Sequence, residues 1–164
     1  AREAVQEKYG DILKAGNIDL DKNADEAMSL EPNYKGLKQF MKIVSSDQKW
    51  DFAGAMHQDL IDTFGITRMQ EFGNFHFGVV AAAYGFPLSA SMFGAGAYQV
   101  VVQGNGSGSW KAFLSAPMFA ENPQAQLFTQ LGFSWGDNPG DAMSIMQGHN
   151  YHNATRECSG YGCW

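Results

Sequence analysis

The side chains best suited to chemistry are Glu71, Asn74, His76 and Gln99. They stand in Glu71-Phe72-Gly73-Asn74-Phe75-His76-Phe77-Gly78 and Gly94-Ala95-Gly96-Ala97-Tyr98-Gln99, embedded in glycine, alanine and phenylalanine. A carboxylate, an amide and an imidazole can move a proton or hold a substrate oxygen. Small neighbours let backbones approach closely enough to hold such groups rigid. The same stretch reads more simply as a tightly packed core helix that Asn74 caps, and composition alone favours that account. His76, between two phenylalanines, is either a hydrogen-bonded core histidine, the commoner outcome, or a buried acid–base group placed in a cleft.

A second group is acidic. Asp137 and Asp141 flank Asn138-Pro139-Gly140 where a last helix should begin. Carboxylates there are stabilised by free N–H groups and the helix dipole, so capping accounts for one of them. Two in one turn also make an oxygen-rich ligand set suited to Mg²⁺ or Ca²⁺. Asp19-x-Asp21-x-Asn23-x-Asp25 resembles a calcium loop, but Ala24 and Leu30 replace the glycine and glutamate that such a loop needs. It is expected to be a solvated turn. His149 and His152 have a spacing compatible with a metal pair, yet fall where the last helix should end. His57, among charges, reads as solvated. No nucleophile elbow, P-loop or dinucleotide fingerprint occurs; Gly104 to Ser109 is glycine-rich but lacks the following lysine.

The elements that must position these groups are mostly helical. Ala4 to Ala15 carries apolar residues among charges, with Gly16 as its stop. Beyond the turn at Glu31-Pro32-Asn33, Leu37, Phe40, Met41 and Val44 recur at helical spacing, with Lys35, Lys38 and Lys42 on the opposite side. Trp50 to Phe64 becomes helical through Met56, Leu60 and Ile61 and closes at Gly65. Asn74 is expected to open a small-residue helix ending at Gly85, and Pro87 or Ser89 another running to about Val102. Val100 to Gln103 is β-prone, Trp110 to Leu131 is broken by Pro117 and Pro123, and Ala142 to about His149 is the last helix. The expected fold is mainly α, one compact helical domain with at most a small β element.

Composition narrows the function classes. A chain of 164 residues with 45% hydrophobic and 17% charged residues can bury one core. Its net charge of −6 argues against a nucleic-acid binder, which needs a basic stripe. No apolar run is long enough to span a membrane, so an integral membrane protein is not expected. The chain opens on Ala1 without a visible signal peptide, which suggests a piece excised from something longer. Cys158 and Cys163, spaced by serine and glycines, could close a small disulfide loop in an oxidising compartment. Two unlinked thiols are the alternative.

Three blocks in order carry a family resemblance: Trp50-Asp51-Phe52, then Phe72 to Gly78, then Gly94 to Gln99 followed by Gly136-Asp137-Asn138-Pro139-Gly140-Asp141. Over roughly residues 37 to 152 the sequence resembles the bacterial polymorphic toxin type 44 family, whose members serve as C-terminal warheads of secreted antibacterial proteins. Residues 1–36 would then be a helical extension and 153–164 a cysteine-bearing tail. Carried over, the motif positions are Trp50, Asp51, Asn74, His76, Gly78, Gln99, Asp137 and Asp141. Two departures stand out: the family's lysine after the first block is Ala53, and the second aspartate of its acidic block is Asn138.

The resemblance implies a toxin delivered into a target bacterium and held in check in the producer by an immunity protein. The first expectation is a hydrolase of the periplasmic envelope, acting on peptidoglycan or its lipid-linked pyrophosphate precursor. For the precursor, Asp137 and Asp141 would hold a divalent cation, Asp51 or His76 would activate water, and Asn74 would orient the phosphate. For the glycan, Glu71 and an aspartate would act without metal. The alternatives are a cytoplasmic ribonuclease toxin with His76 as base, and a non-catalytic binding module of a larger secreted protein.

Overall fold

In the computed structural model, residues 1–88, 90, 91 and 139–156 are described. They form six helices and, among the described residues, no strand. The helices are α1 (Arg2–Ala15), α2 (Leu20–Ser29), α3 (Tyr34–Val44), α4 (Gln58–Phe64), α5 (Ile66–Tyr84) and α6 (Pro139–Arg156), with a 3-10 turn, Ala55–His57, before α4. The mainly helical expectation holds. The β-prone segment Val100 to Gln103, the cysteines, Gln99 and Asp137 lie outside the described residues.

Local chemistry explains most boundaries. Asn33 caps α3, its side chain accepting from Gly36 N at 3.0 Å. The sequence Asp19 to Asp25 is not a solvated turn: Asp19 accepts from Lys22 N at 3.0 Å and so caps α2, and the acidic residues that follow ride on the helix. Gly85 ends α5 in the left-handed conformation at φ 101°, and its N–H reaches back to the carbonyls of Ala81 and Ala82.

Two boundaries depart from expectation. α5 does not begin at Asn74; it starts at Ile66 and passes through Gly73 and Asn74 unbroken. α6 does not end near His149 but continues through Gly148 to Arg156. An isolated glycine costs about 1 kcal/mol in a helix interior, which neighbouring contacts can outweigh. Here they do. A Cβ on Gly148 would stand 1.9 Å from the carbonyl oxygen of Phe75, and one on Gly78 would stand 2.1 Å from that of Ile145. The two glycines let α5 and α6 touch backbone to backbone.

α5 is the central element. Met69, Phe72, Phe75, His76, Val79 and Val80 are buried along it. α1 covers one flank, Tyr9 packing at 5.4 Å from Phe72 and 4.9 Å from Phe75 between ring centroids. Phe40 of α3 is fully buried and sits 5.0 Å from the Tyr84 ring and 5.5 Å from the Phe86 ring. Polar ties join the N-terminal helices to the rest. Arg68 of α5 pairs with Asp11, Lys49 with Glu26, and Arg156 at the end of α6 with Asp25. Residues 1–36 are therefore built into the same core as the segment that follows them.

Candidate functional site

Asn74 and Asp141 meet. The Asn74 Nδ2 donates to Asp141 Oδ1 at 2.7 Å, joining the middle of α5 to the first turn of α6 across 67 positions of sequence. Both residues are half-buried. Asn74 is thus no cap: it is held inside α5 and uses its amide across the helix crossing rather than on its own backbone. The backbone contact at Gly78 and Gly148 brings the two helices close enough for this short polar bridge. Beside it, Ala142 and Ile145 are buried and pack with Phe77 and Leu88.

One α-helical turn before Asn74, Glu71 forms an ion pair with Lys8 of α1. The Lys8 ammonium also donates to Gln147 Oε1 of α6 at 3.3 Å. Three helices therefore converge on the segment Glu71 to Asn74, and the carboxylates of Glu71 and Asp141 are each held by a partner from another helix.

His76 goes elsewhere. It is completely buried, edge-on to Phe52 at 4.7 Å and Trp50 at 5.5 Å, with Phe72 at 6.3 Å. The expected cleft is absent at this residue: the rings enclose it. Asn23 of α2 lies 3.0 Å from its Nε2 through the amide nitrogen. An amide nitrogen can only donate, so Nε2 accepts and the ring proton sits on Nδ1, which has no partner. Burial, reinforced by repulsion from Lys49 and the neighbouring His57, pushes the imidazole from 6.5 down to about 3. A neutral, enclosed ring cannot exchange a proton with a substrate. His76 is a core histidine.

Asp51 is half-buried in the bend before the 3-10 turn. Its Oδ2 accepts from Asp47 N at 2.9 Å, while Asp47 Oδ1 accepts from Ala55 N at 3.0 Å. A Cβ at Gly54 would fall 2.4 Å from Asp51 Oδ2, so the bend closes around the two carboxylates. Trp50 and Phe52 on either side are buried. The Trp50–Asp51–Phe52 block thus folds a loop onto His76. His57 is not simply solvated: its ring stacks on Phe52 at 4.6 Å and its Nε2 lies 3.0 Å from Lys49 O.

The histidines of α6 stand within the helix rather than at its end. His149 Nε2 lies 2.9 Å from Phe86 O, and its Nδ1 lies 3.3 Å from Asn153 Nδ2, so both nitrogens are engaged structurally. Desolvation, aided by Arg156 and His149, lowers the pKa of His152. Among the described residues no group of three or more His, Cys, Asp or Glu could hold a metal ion. A cation at Asp141 would need Asp137, outside the described residues, and further ligands.

Three residues that matter here carried no signal in the sequence alone. Asn23 belonged to an acidic run, Lys8 to a charged helix, and Gly148 lay inside the last expected helix. Each acts through a contact more than 50 positions away, with His76, Glu71 and Phe75 respectively.

The family model for bacterial toxin 44 matches residues 39–154. No curated protein matches the chain. No solved structure matches it either. The match spans well over half of the 164 residues and includes all of α5 and α6 as far as Ala154, with both Asn74 and Asp141. The chain belongs to the bacterial toxin 44 family.

Proposed function

With family membership as the premise, we propose that this domain is the toxic part of a secreted antibacterial effector and hydrolyses the envelope of the bacterium it enters. The substrate class is peptidoglycan or its lipid-linked pyrophosphate precursor. The Asn74–Asp141 hydrogen bond carries this reading. An amide that donates to a carboxylate fixes its direction without cancelling its charge, as a lysine would, and suits it to acid–base or cation-holding work.

Asp141 is the central carboxylate and Asn74 the residue that positions it. On a glycan, Glu71 is the second carboxylate of the pair that glycoside hydrolysis requires. On a pyrophosphate, Asp137 would join Asp141 around a divalent cation, Mg²⁺ or Ca²⁺, which would offset charge on the phosphoryl oxygens. Gln99 belongs with these as a substrate-contacting residue. His76 takes no part, since it is enclosed and neutral. That also removes the base from the ribonuclease reading, already weakened by a net charge of −6. Asp51 serves the bend that covers His76. In the producing cell an immunity protein would cover the site.

Producing the domain in a susceptible bacterium, with and without an export signal, tests the proposal. Lysis confined to the exported form is expected, together with release of soluble fragments from purified peptidoglycan or of phosphate from the lipid-linked precursor. Asp141→Asn should abolish both at an almost unchanged melting temperature. Killing by the unexported form alone would overturn the envelope assignment, and killing retained by Asp141→Asn would overturn the site.

A further inference from the structure

α3 divides cleanly by face. Phe40 and Gly36 are buried, and Leu37, Met41, Ile43 and Val44 are half-buried on the side that meets the core. At 3.6 residues per turn, Tyr34, Lys38, Lys42, Lys35 and Gln39 fall together on the other side, and all five are exposed. Tyr34 is 61% exposed, one of the few large apolar side chains left at the surface. The stripe contains no carboxylate.

Half of the ten described lysines and arginines form ion pairs, and the lysines of α3 are not among them. Arg2, Lys8, Lys49, Arg68 and Arg156 each pair with an aspartate or glutamate. None of Lys35, Lys38 and Lys42 has an ion-pair partner among the described residues, although the chain carries 17 acidic residues against 11 basic ones. Three unpaired ammonium groups in a row on an acidic protein leave a local positive field whose natural complement lies on another surface.

We infer that the outer face of α3 docks the toxin on an anionic lipid surface, its lysines meeting headgroup phosphates and Tyr34 lying at headgroup level. Lysines gain from the negative surface potential of such membranes, and tyrosine is favoured at the membrane–water boundary. An acidic protein would satisfy the lysines equally, but the exposed aromatic ring within the stripe favours lipid. This inference rests on the envelope reading and deepens it: a domain held at a membrane meets a lipid-linked substrate in two dimensions rather than three. Each lysine near an anionic surface raises partitioning roughly fivefold, so three together give on the order of 100-fold.

Vesicle sedimentation with the full chain tests the docking without any turnover. Vesicles containing phosphatidylglycerol should bind the protein at low salt, phosphatidylcholine vesicles should not, and 0.5 M salt (~4 Å screening length) should release it. The variant K35Q/K38Q/K42Q should lose binding by about 100-fold. The variant K14Q/K22Q removes two lysines that also lack ion pairs, on α1 and α2, and should bind like the parent. Absence of binding to anionic vesicles, binding kept by the α3 variant, or equal loss in both variants would each overturn the inference. So would an α3 variant that sediments normally but escapes an acidic immunity protein. Failure here leaves export-dependent lysis intact, so the two readings fail separately.

Discussion

Asn74 and His76 are two residues apart on one helix and meet opposite environments. His76 turns into an aromatic cage of Trp50, Phe52 and Phe72, closed from α2 by Asn23. Asn74 turns to the crossing of α5 with α6, where backbones touch and a half-buried carboxylate accepts its amide proton. The cage spends polar capacity: His76 Nδ1 and Trp50 Nε1 are both buried without a partner. The crossing directs it, pairing donor with acceptor near the surface. Residue type alone would have ranked the histidine first. Burial reverses the order.

The contrast can be broken most forcefully at Gly148. Gly148→Ala places a methyl against the Phe75 carbonyl and must part the helices, so it should cost about 3 kcal/mol or more in urea unfolding and abolish killing. A variant as stable as the parent would show that the close approach is not needed.

Acid probes the cage. The imidazole titrates near 6.5 in an unfolded chain and near 3 in the folded one, so the unfolded chain binds the proton first. Stability from this group is therefore complete above about pH 6.5 and lost as pH falls towards 3, roughly 3 kcal/mol having gone by pH 4. Urea midpoints measured across this range should fall for the parent and fall less for His76→Leu. Parallel curves would mean that water reaches the ring.

A smaller effect is expected at Asn74. Asn74→Ala removes one partly buried hydrogen bond and should lower stability by about 1 kcal/mol, yet reduce killing far more than that loss explains. Proportionate losses would make the bridge structural only. Arg2→Gln sets the floor: its pair with Asp21 is more than 40% exposed at both ends, so unfolding should shift by less than about 0.5 kcal/mol and killing not at all.

How much of this could be read from the chain depends on how local the cause is. The turn at Glu31-Pro32-Asn33 before α3, the apolar row through Phe40 and the stop at Gly85 are settled within a few residues of backbone, and all three were legible. The start of α5 at Ile66 and the run of α6 past His149 were not legible, because a close approach of two backbones, as at Gly78 and Gly148, leaves no local mark in sequence. The same holds for the site. Asn74 and Asp141 were both visible as polar residues in suggestive surroundings, but their meeting depends on the α5–α6 contact, and the role of Asn74 as a cap gave way to it. His76 needed knowledge of Asn23 and the Trp50 loop, which only the fold supplies.

The ties between the two ends of the domain have a kinetic side. Lys8 reaches Gln147 across 139 positions and Arg156 reaches Asp25 across 131, while α6 packs along the central helix. Contacts of such long sequence separation must pay loop-closure entropy before they return any stability, and chains rich in them fold slowly. A chain emerging from the ribosome with α1 to α5 complete still lacks Asp141 and the helix that α5 packs against. The Asn74–Asp141 bond therefore cannot form until the last described helix has been synthesised, and the inner face of α5 waits that long for its cover.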